Sequence, residues 1–261
     1  MSKSDGNIDF GFTEIPREEK QSRVKGVFDS VASKYDLMND AMSMGIHRVW
    51  KDMMVTKINP QPGEHLIDIA GGTGDIAKRF LKRADAAQAR RGGERATAIV
   101  SDINYEMLAA GLTDTDGGRK DTINNRIERV CGNAEHLPFD SACADVMTIS
   151  FGIRNVTDRD AALREFYRIL KPGGRLFVLE FSTPPDKVLR KIYDSYSFAV
   201  IPPLGGLLAG DKESYQYLVE SIRRFPRQDA FASMIKDAGF SRVGWQDYSG
   251  GIATLHWGWK V

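Results

Sequence analysis

The chain is poor in the residues that staple or ligate. Only two cysteines, Cys131 and Cys143, occur in 261 residues, and neither belongs to a CxxC pair or stands beside a histidine. That spacing argues against a disulfide framework, a metal site and a dithiol redox motif. A chain of this length can bury a sizeable core without such staples. An apolar signal core is also missing from MSKSDGNIDF. Together with the scarce cysteines, this points to a reducing, cytoplasmic compartment. No apolar run reaches the roughly 18 residues of a transmembrane helix. The longest, FAVIPPLGGLLAG from Phe198 to Gly210, is broken by Pro-Pro and Gly-Gly; it suits a greasy pocket wall or a membrane surface. Excess charge is lacking too: 36 basic against 35 acidic side chains leave +1. Nothing in that balance suggests nucleic acid. The basic run Lys82 to Arg95 reads as a solvated helix end and loop.

What is present is ordinary globular composition, 42% hydrophobic and 27% charged. Residues 1–16 read as a polar, mobile arm. Arg17 to Ile58 has a helical pattern broken near Gly45, and NPQPG (Asn59 to Gly63) is a turn. Strands and helices then alternate. The spacing predicts strands at His65–Ala70, Ala96–Asp102, Ile127–Gly132, Ala144–Gly152 and Arg175–Phe181. Helices are expected over Gly74–Ala84, Ile103–Leu112 and Asp158–Leu170, the last capped by Asp158 and stopped by KPGG. Thr113 to Thr122 is a Gly/Asp-rich surface loop. This order implies a parallel sheet covered by helices on both faces. Residues 183–226 interrupt the alternation. After a helix at Gln228–Ala238, strands Ser241–Tyr248 and Ile252–Val261 are joined by Ser-Gly-Gly, too short a link for anything but an antiparallel hairpin.

One loop carries chemistry. DIAGGTGD, Asp68 to Asp75, places Gly71, Gly72 and Gly74 where a strand becomes a helix. The missing Cβ atoms let the backbone approach a ligand, and the helix start offers N–H groups. A plain tight βα turn would look similar. Asp102, at the end of the second strand, lies where a carboxylate can accept ribose hydroxyls. The loop is not GxGxxG, and Asp75 would repel a pyrophosphate on that helix end. A cationic ligand without phosphate fits better, and S-adenosylmethionine is one.

DxxGGTGD, SDIN, CGNAEHLPF, SFGIRNV and LKPGGRLFVLEFS together resemble class I S-adenosylmethionine-dependent methyltransferases. More narrowly, YDLMNDAMSMGIHRVW (Tyr35 to Trp50) and RNVTDRDAALREFYRILKPGG are similar to the two signatures of the ubiquinone/menaquinone biosynthesis C-methyltransferases, the UbiE and COQ5 type. The resemblance runs from about Phe10 onward; the chief departure is the longer loop between strands two and three. It implies an α/β, Rossmann-like fold with a seven-stranded, mostly parallel sheet, an antiparallel C-terminal hairpin strand and a helical N-terminal lid. A single domain is expected over 1–261: arm and lid at 1–58, a cofactor-binding half at 59–182, a substrate cap at 183–226 and a C-terminal helix and hairpin at 227–261.

The resemblance also implies contacts to S-adenosyl-L-methionine. Asp68, Gly71 and Gly72 belong to the loop, with Thr73 near the methionine end. Asp102 takes the ribose, Asn133 and Ala134 flank the adenine, and Ser150 sits under the sulfonium. All stand at or just after strand ends, where open α/β sheets bind ligands. No metal is implied. The substrate class is a polyprenyl quinol, 2-methoxy-6-polyprenyl-1,4-benzoquinol or demethylmenaquinol, methylated at a ring carbon. Partners left open are a second copy, a quinone-synthesis complex and the inner face of the cytoplasmic membrane.

A ring carbon becomes nucleophilic when a neighbouring hydroxyl loses its proton, so a base or a cation for the phenolate is wanted. Arg154 is the candidate cation, with a surface ion pair to Asp158 or Asp160 as its plainer reading. Tyr35, Asp36, Asn39 and His47 are expected to position the quinol and relay the proton. His47 and Asn39 should therefore face the end of the fourth strand near Ser150. His65 and His256 read as structural; His136 fits either role. Other readings are a methyltransferase for a different lipid or phenol, an NAD-dependent oxidoreductase, and a silent scaffold.

Overall fold

Leu66, Ile67 and Ile69 of HLIDI are all buried, although successive side chains of a strand point to opposite faces. A strand apolar on both faces needs cover on both, and helices supply it. The structure, a computed structural model, describes residues 6–31, 40, 42–43, 45–113, 123–199, 201–203, 206 and 212–261.

A hairpin of β1 (Asn7–Phe10) and β2 (Thr13–Pro16) leads into α1 (Arg17–Val31) and α2 (His47–Ile58). The alternating part follows as β3 (His65–Ile69), α3 (Asp75–Arg91), β4 (Thr97–Asp102), α4 (Tyr105–Thr113) and β5 (Ile127–Cys131). It continues with β6 (Ala144–Ser150), α5 (Arg159–Ile169) and β7 (Leu170–Phe181). Then come α6 (Lys187–Ala199), α7 (Lys212–Arg224), α8 (Gln228–Asp237), β8 (Ser241–Tyr248) and β9 (Ala253–Trp259). The seven-stranded sheet has the order β5-β4-β3-β6-β7-β9-β8. Pairings from β5 to β7 are parallel, and β9 runs antiparallel to both β7 and β8. Strand order turns back between β3 and β6, which opens a crevice at their carboxyl ends.

Two apolar clusters cover the sheet. One joins Leu66 to Trp50, Met54 and Phe80; the other joins Ile67 to Met147, Phe166 and Phe231. Among the described residues, no helix is long and apolar enough to cross a membrane.

Three details depart from the sequence reading. Residues 7–16 form a hairpin in place of a mobile arm. Its Phe10 stacks on Tyr217 at 4.2 Å, and the Phe12 N–H donates to Glu220 at 2.9 Å. These partners lie on α7, too far along the chain for a local pattern to show. The helix opening at Asp75 runs on to Arg91 because Ala84 and Ala87 still find core to bury. KPGG ends α5 but is also inside β7: pairing jumps from Ala144/Leu170 to Val146/Arg175, and Gly173 donates to Lys260. The capping of α5 by Asp158 is as expected, with the Ala161 N–H donating to its carboxylate at 2.9 Å.

Candidate active site

After β3 the chain turns through Ala70, Gly71, Gly72, Thr73 and Gly74 into α3. Ala70 adopts a left-handed φ of 49°, and Phe151, just past β6, one of 57°. Each costs on the order of 1–3 kcal/mol, and such strain concentrates at functional sites. Gly71 is obligatory, since a Cβ there would lie 2.6 Å from Asp68 Oδ2.

Asp68 is fully buried. Its Oδ1 accepts the Thr148 hydroxyl at 2.6 Å, and its Oδ2 has no partner. Burial pushes this carboxyl up to about 7, with Thr148 and Lys51 pulling the other way. Asp102, at the end of β4, accepts the N–H of Gly72 at 3.0 Å and of Asn104 at 2.9 Å. Burial raises its pKa as well, against those two hydrogen bonds and a third from the Ile103 N–H.

A cavity of about 620 Å³ opens above these strand ends. Asp68, Gly71, Gly72 and Thr73 line it from β3 and its loop, and Asp102 from β4. Asn133 and Ala134 after β5 and Ser150 at the end of β6 complete the wall. All eight residues expected around a cofactor thus converge on one space.

The roof is α2. His47 is 1% exposed and lines the same cavity as Ser150. Its helix also brings Met54, whose sulfur accepts the Ser150 hydroxyl at 3.4 Å. His47 Nε2 lies 3.0 Å from Asp40 Oδ1, and Arg48 grips both oxygens of that carboxylate at 2.5 and 3.0 Å. The Arg48 hydrogen bond holds Asp40 below the usual carboxylate range, so Asp40 is an anion and Nε2 carries the proton. Burial, with Lys51 nearby, holds His47 below its ordinary value, opposed by Asp40. At neutral pH the imidazole is uncharged. Its Nδ1 is then a lone-pair acceptor, buried and without a partner.

Lys51 and Asp75 also line the cavity. Lys51 Nζ donates to Asp75 Oδ2 at 2.9 Å, and Arg79 Nε donates to Oδ1 at 2.7 Å. Burial works against ionisation of Asp75, but the two cations outweigh it and hold its pKa down. Asp75 is therefore neutralised by its neighbours, and repulsion of phosphate does not by itself exclude a dinucleotide.

Arg154 is not where the sequence suggested. It is 1% exposed, does not line the cavity, and pairs with Glu180 on β7 at 2.6 Å. The same nitrogen donates to the Phe151 carbonyl at 2.6 Å. A short 3₁₀ turn, Ile153–Asn155, swings the side chain inward beneath the loop. Neither expected surface pair forms: Asp158 caps α5 and pairs with Arg17. The signal for Glu180 was its lone carboxylate within the apolar part of RLFVLEF, which a buried strand tolerates only with a partner. Its neighbour Asn155 does reach the cavity and accepts the Tyr217 hydroxyl at 3.1 Å. Lys51 also escaped the sequence reading, though its place one turn after His47 was a cue. Tyr35, Asp36 and Asn39 lie outside the described residues.

Two other histidines are held structurally. His65 Nδ1 is 2.7 Å from the Thr97 hydroxyl, and His256 Nε2 is 2.9 Å from the Gln228 carbonyl. Exposed His136 closes the turn that begins at Asn133. Among the described residues, no group of three or more His, Cys, Asp or Glu could hold a metal ion.

A family model described as the ubiE/COQ5 methyltransferase family matches residues 17–260. A Caulobacter vibrioides protein named ubiquinone/menaquinone biosynthesis C-methyltransferase UbiE is 53% identical over 258 residues, 99% of this chain and 100% of that one. The protein of that name from Ruegeria sp. (strain TM1040) is 52% identical over 259 residues, 99% of each chain. Solved structures share the fold at low identity. The [4+2]-cyclase SpnF gives a TM-score of 0.62 at 16% identity, covering 92% of this chain and 96% of its own. A SAM-dependent methyltransferase from Thermotoga maritima gives 0.58 at 18% identity, covering 90% and 99%.

Proposed function

The chain belongs to the ubiE/COQ5 methyltransferase family, and from that premise we propose how its cavity methylates a polyprenyl quinol. It is an S-adenosylmethionine-dependent C-methyltransferase of ubiquinone/menaquinone biosynthesis. The substrate in this reading is the ring of 2-methoxy-6-polyprenyl-1,4-benzoquinol, demethylmenaquinol or both.

The residues present fit S-adenosylmethionine. Asp68 Oδ2 is a buried acceptor without a partner, suited to an ammonium. Asp102 accepts backbone N–H groups and still has acceptor capacity to offer a ribose hydroxyl. Thr73 would face the methionine end, Asn133 and Ala134 the adenine, and Ser150 the sulfur. When bound, the cofactor supplies a methyl group on a cationic sulfur.

The observation that carries the chemistry is His47 on the wall of this cavity, oriented through Nε2 by Asp40 and left with a buried, unpartnered Nδ1. His47 takes the proton from the ring hydroxyl next to the carbon that is methylated, and Asp40 stabilises the resulting imidazolium. The methylated carbon then gives up its own hydrogen as a proton and the ring oxygen regains one, so that one proton is released overall. A positioned base of this kind contributes roughly 10²–10⁴ in rate. Arg154 acts as a positioning residue: its bonds to Glu180 and the Phe151 carbonyl hold the turn that carries Ser150 and Asn155. Tyr35, Asp36 and Asn39 would steady the quinol head, a role supported by the signature they belong to.

The quinol tail makes contact with lipid attractive. On α6, Val188 (68% exposed) and Ile192 (62%) share an open face with Lys187 and Lys191. A peripheral membrane contact there would place the cap against the phase that holds the substrate. One experiment tests the whole reading. Purified protein and labelled S-adenosylmethionine are offered a methoxy-prenyl-benzoquinol and a demethylmenaquinol side by side. Carbon-linked label on either ring supports it; label on neither, or on oxygen, overturns it.

A further inference from the structure

The amino-acid end of the cofactor carries a carboxylate as well as an ammonium, and three N–H groups of the glycine loop are already engaged. The Gly71 N–H donates to the Ser101 carbonyl at 3.3 Å and the Gly74 N–H to the Gly71 carbonyl at 2.9 Å. The Gly72 N–H is taken by Asp102. Asp68 and Asp75 stand at the same end, so the ligand's carboxylate would be a third acidic group beside the cations that hold Asp75. A buried anion there needs a cation at hand.

Of the described lysines and arginines on the cavity wall, only Lys51 is buried, at 7% exposed. It sits four residues after His47, so both share one face of α2. Its ammonium already engages a carboxylate, Asp75, at 2.9 Å. Asp75 can release it, because Arg79 holds the other oxygen at 2.7 Å. Lys51 also acts electrostatically on both Asp68 and His47.

We propose that Lys51 is the carboxylate subsite for the amino-acid end of an S-adenosyl ligand, exchanging Asp75 for the ligand while Asp68 takes the ammonium. The Lys51/Asp75 contact is then an internal stand-in for half of the bound zwitterion. This inference rests on the cavity being the cofactor site, and its test separates the two.

Calorimetry on the full chain uses two probes, S-adenosylhomocysteine and 5′-methylthioadenosine, which lacks the amino-acid part. Lys51→Met keeps the buried stem and removes the charge; Lys51→Arg restores it. A lost charge-assisted hydrogen bond should weaken S-adenosylhomocysteine about ten- to a hundred-fold in Lys51→Met. Lys51→Arg should recover part of that loss, and methylthioadenosine affinity should stay within about two-fold throughout. Unchanged S-adenosylhomocysteine affinity in Lys51→Met overturns the assignment. So does an equal loss for both probes, which would mean that Lys51 only supports the site. If neither probe binds the wild-type protein, the cofactor reading itself fails.

Discussion

Asp40 and His47 meet at 3.0 Å through Oδ1 and Nε2, seven residues apart across the turn at Gly45. The contact fixes which imidazole nitrogen carries the proton. His47→Gln should lower kcat about 10²- to 10⁴-fold with little change in S-adenosylhomocysteine affinity. The pH profile gives a sharper test, because the neighbours of His47 push in opposite directions. Asp40 raises its pKa, while Lys51 and Arg48 lower it. Asp40→Asn should therefore move the acid limb of log(kcat/KM) to lower pH, and Lys51→Met should move it to higher pH. Shifts of one sign in both variants would rule out His47 as the titrating base.

Cofactor affinity should depend on pH through Asp68. Its carboxyl is pushed up to about 7, so it is mostly neutral at pH 6 and mostly charged at pH 8. An ammonium is bound better by the anion. Affinity for S-adenosylhomocysteine should rise across that window, and binding near neutrality should release protons. Calorimetry in buffers of different ionisation enthalpy measures the release. Asp68→Asn should bind more weakly and lose the pH dependence between 6 and 8.

The buried pair Arg154–Glu180 predicts a stability pattern that a role in contact with substrate would not. Burial raises the pKa of Glu180 against the pull of Arg154. Arg154→Met strands that carboxylate and should destabilise the fold by about 3–5 kcal/mol. Arg154→Met with Glu180→Gln should be more stable than Arg154→Met alone. Urea unfolding supplies the double-mutant cycle, and strict additivity would show that the pair is not coupled.

Contact with lipid is testable apart from chemistry. Replacing Val188 and Ile192 with aspartate puts charge on the exposed face of α6. Flotation with anionic vesicles should fall, while turnover of a short-chain, water-soluble quinol should hold. Wild-type protein that never floats would remove the membrane contact from the proposal.

His256 should make the fold acid-sensitive. Burial drives its pKa down to about 4, with the Gln228 carbonyl opposing. It is thus neutral when folded and charges readily when unfolded. Its contribution is complete above the ordinary histidine value of about 6.5 and is lost as pH falls toward 4, a change of about 2–3 kcal/mol. In His256→Gln, the difference in urea stability between pH 7 and pH 4.5 should shrink by that order.

Sheet and glycine loop were legible because their causes are local. Buried parallel strands are short continuous apolar runs between turn residues, and Asp158 announces its helix within three positions. Asp68, Asp102, Asn133 and Ser150 could be found because each lies at or just past the end of a recognisable strand. Partners set by distant packing could not. Glu180 follows Arg154 by 26 residues, and Glu220 meets Phe12 across 208. Chain direction after β6 decides whether Arg154 looks into the cavity or under it. A three-residue turn made that choice, and no periodicity encodes it.

Strand β9 is synthesised after β8 yet lies between β7 and β8 in the sheet. On the ribosome, then, β8 has nothing to pair with until β9 emerges, and the apolar edge of β7 stays open meanwhile. A message truncated before Ala253 would yield nearly the whole site on a body with an uncovered strand edge. Such edges template aggregation.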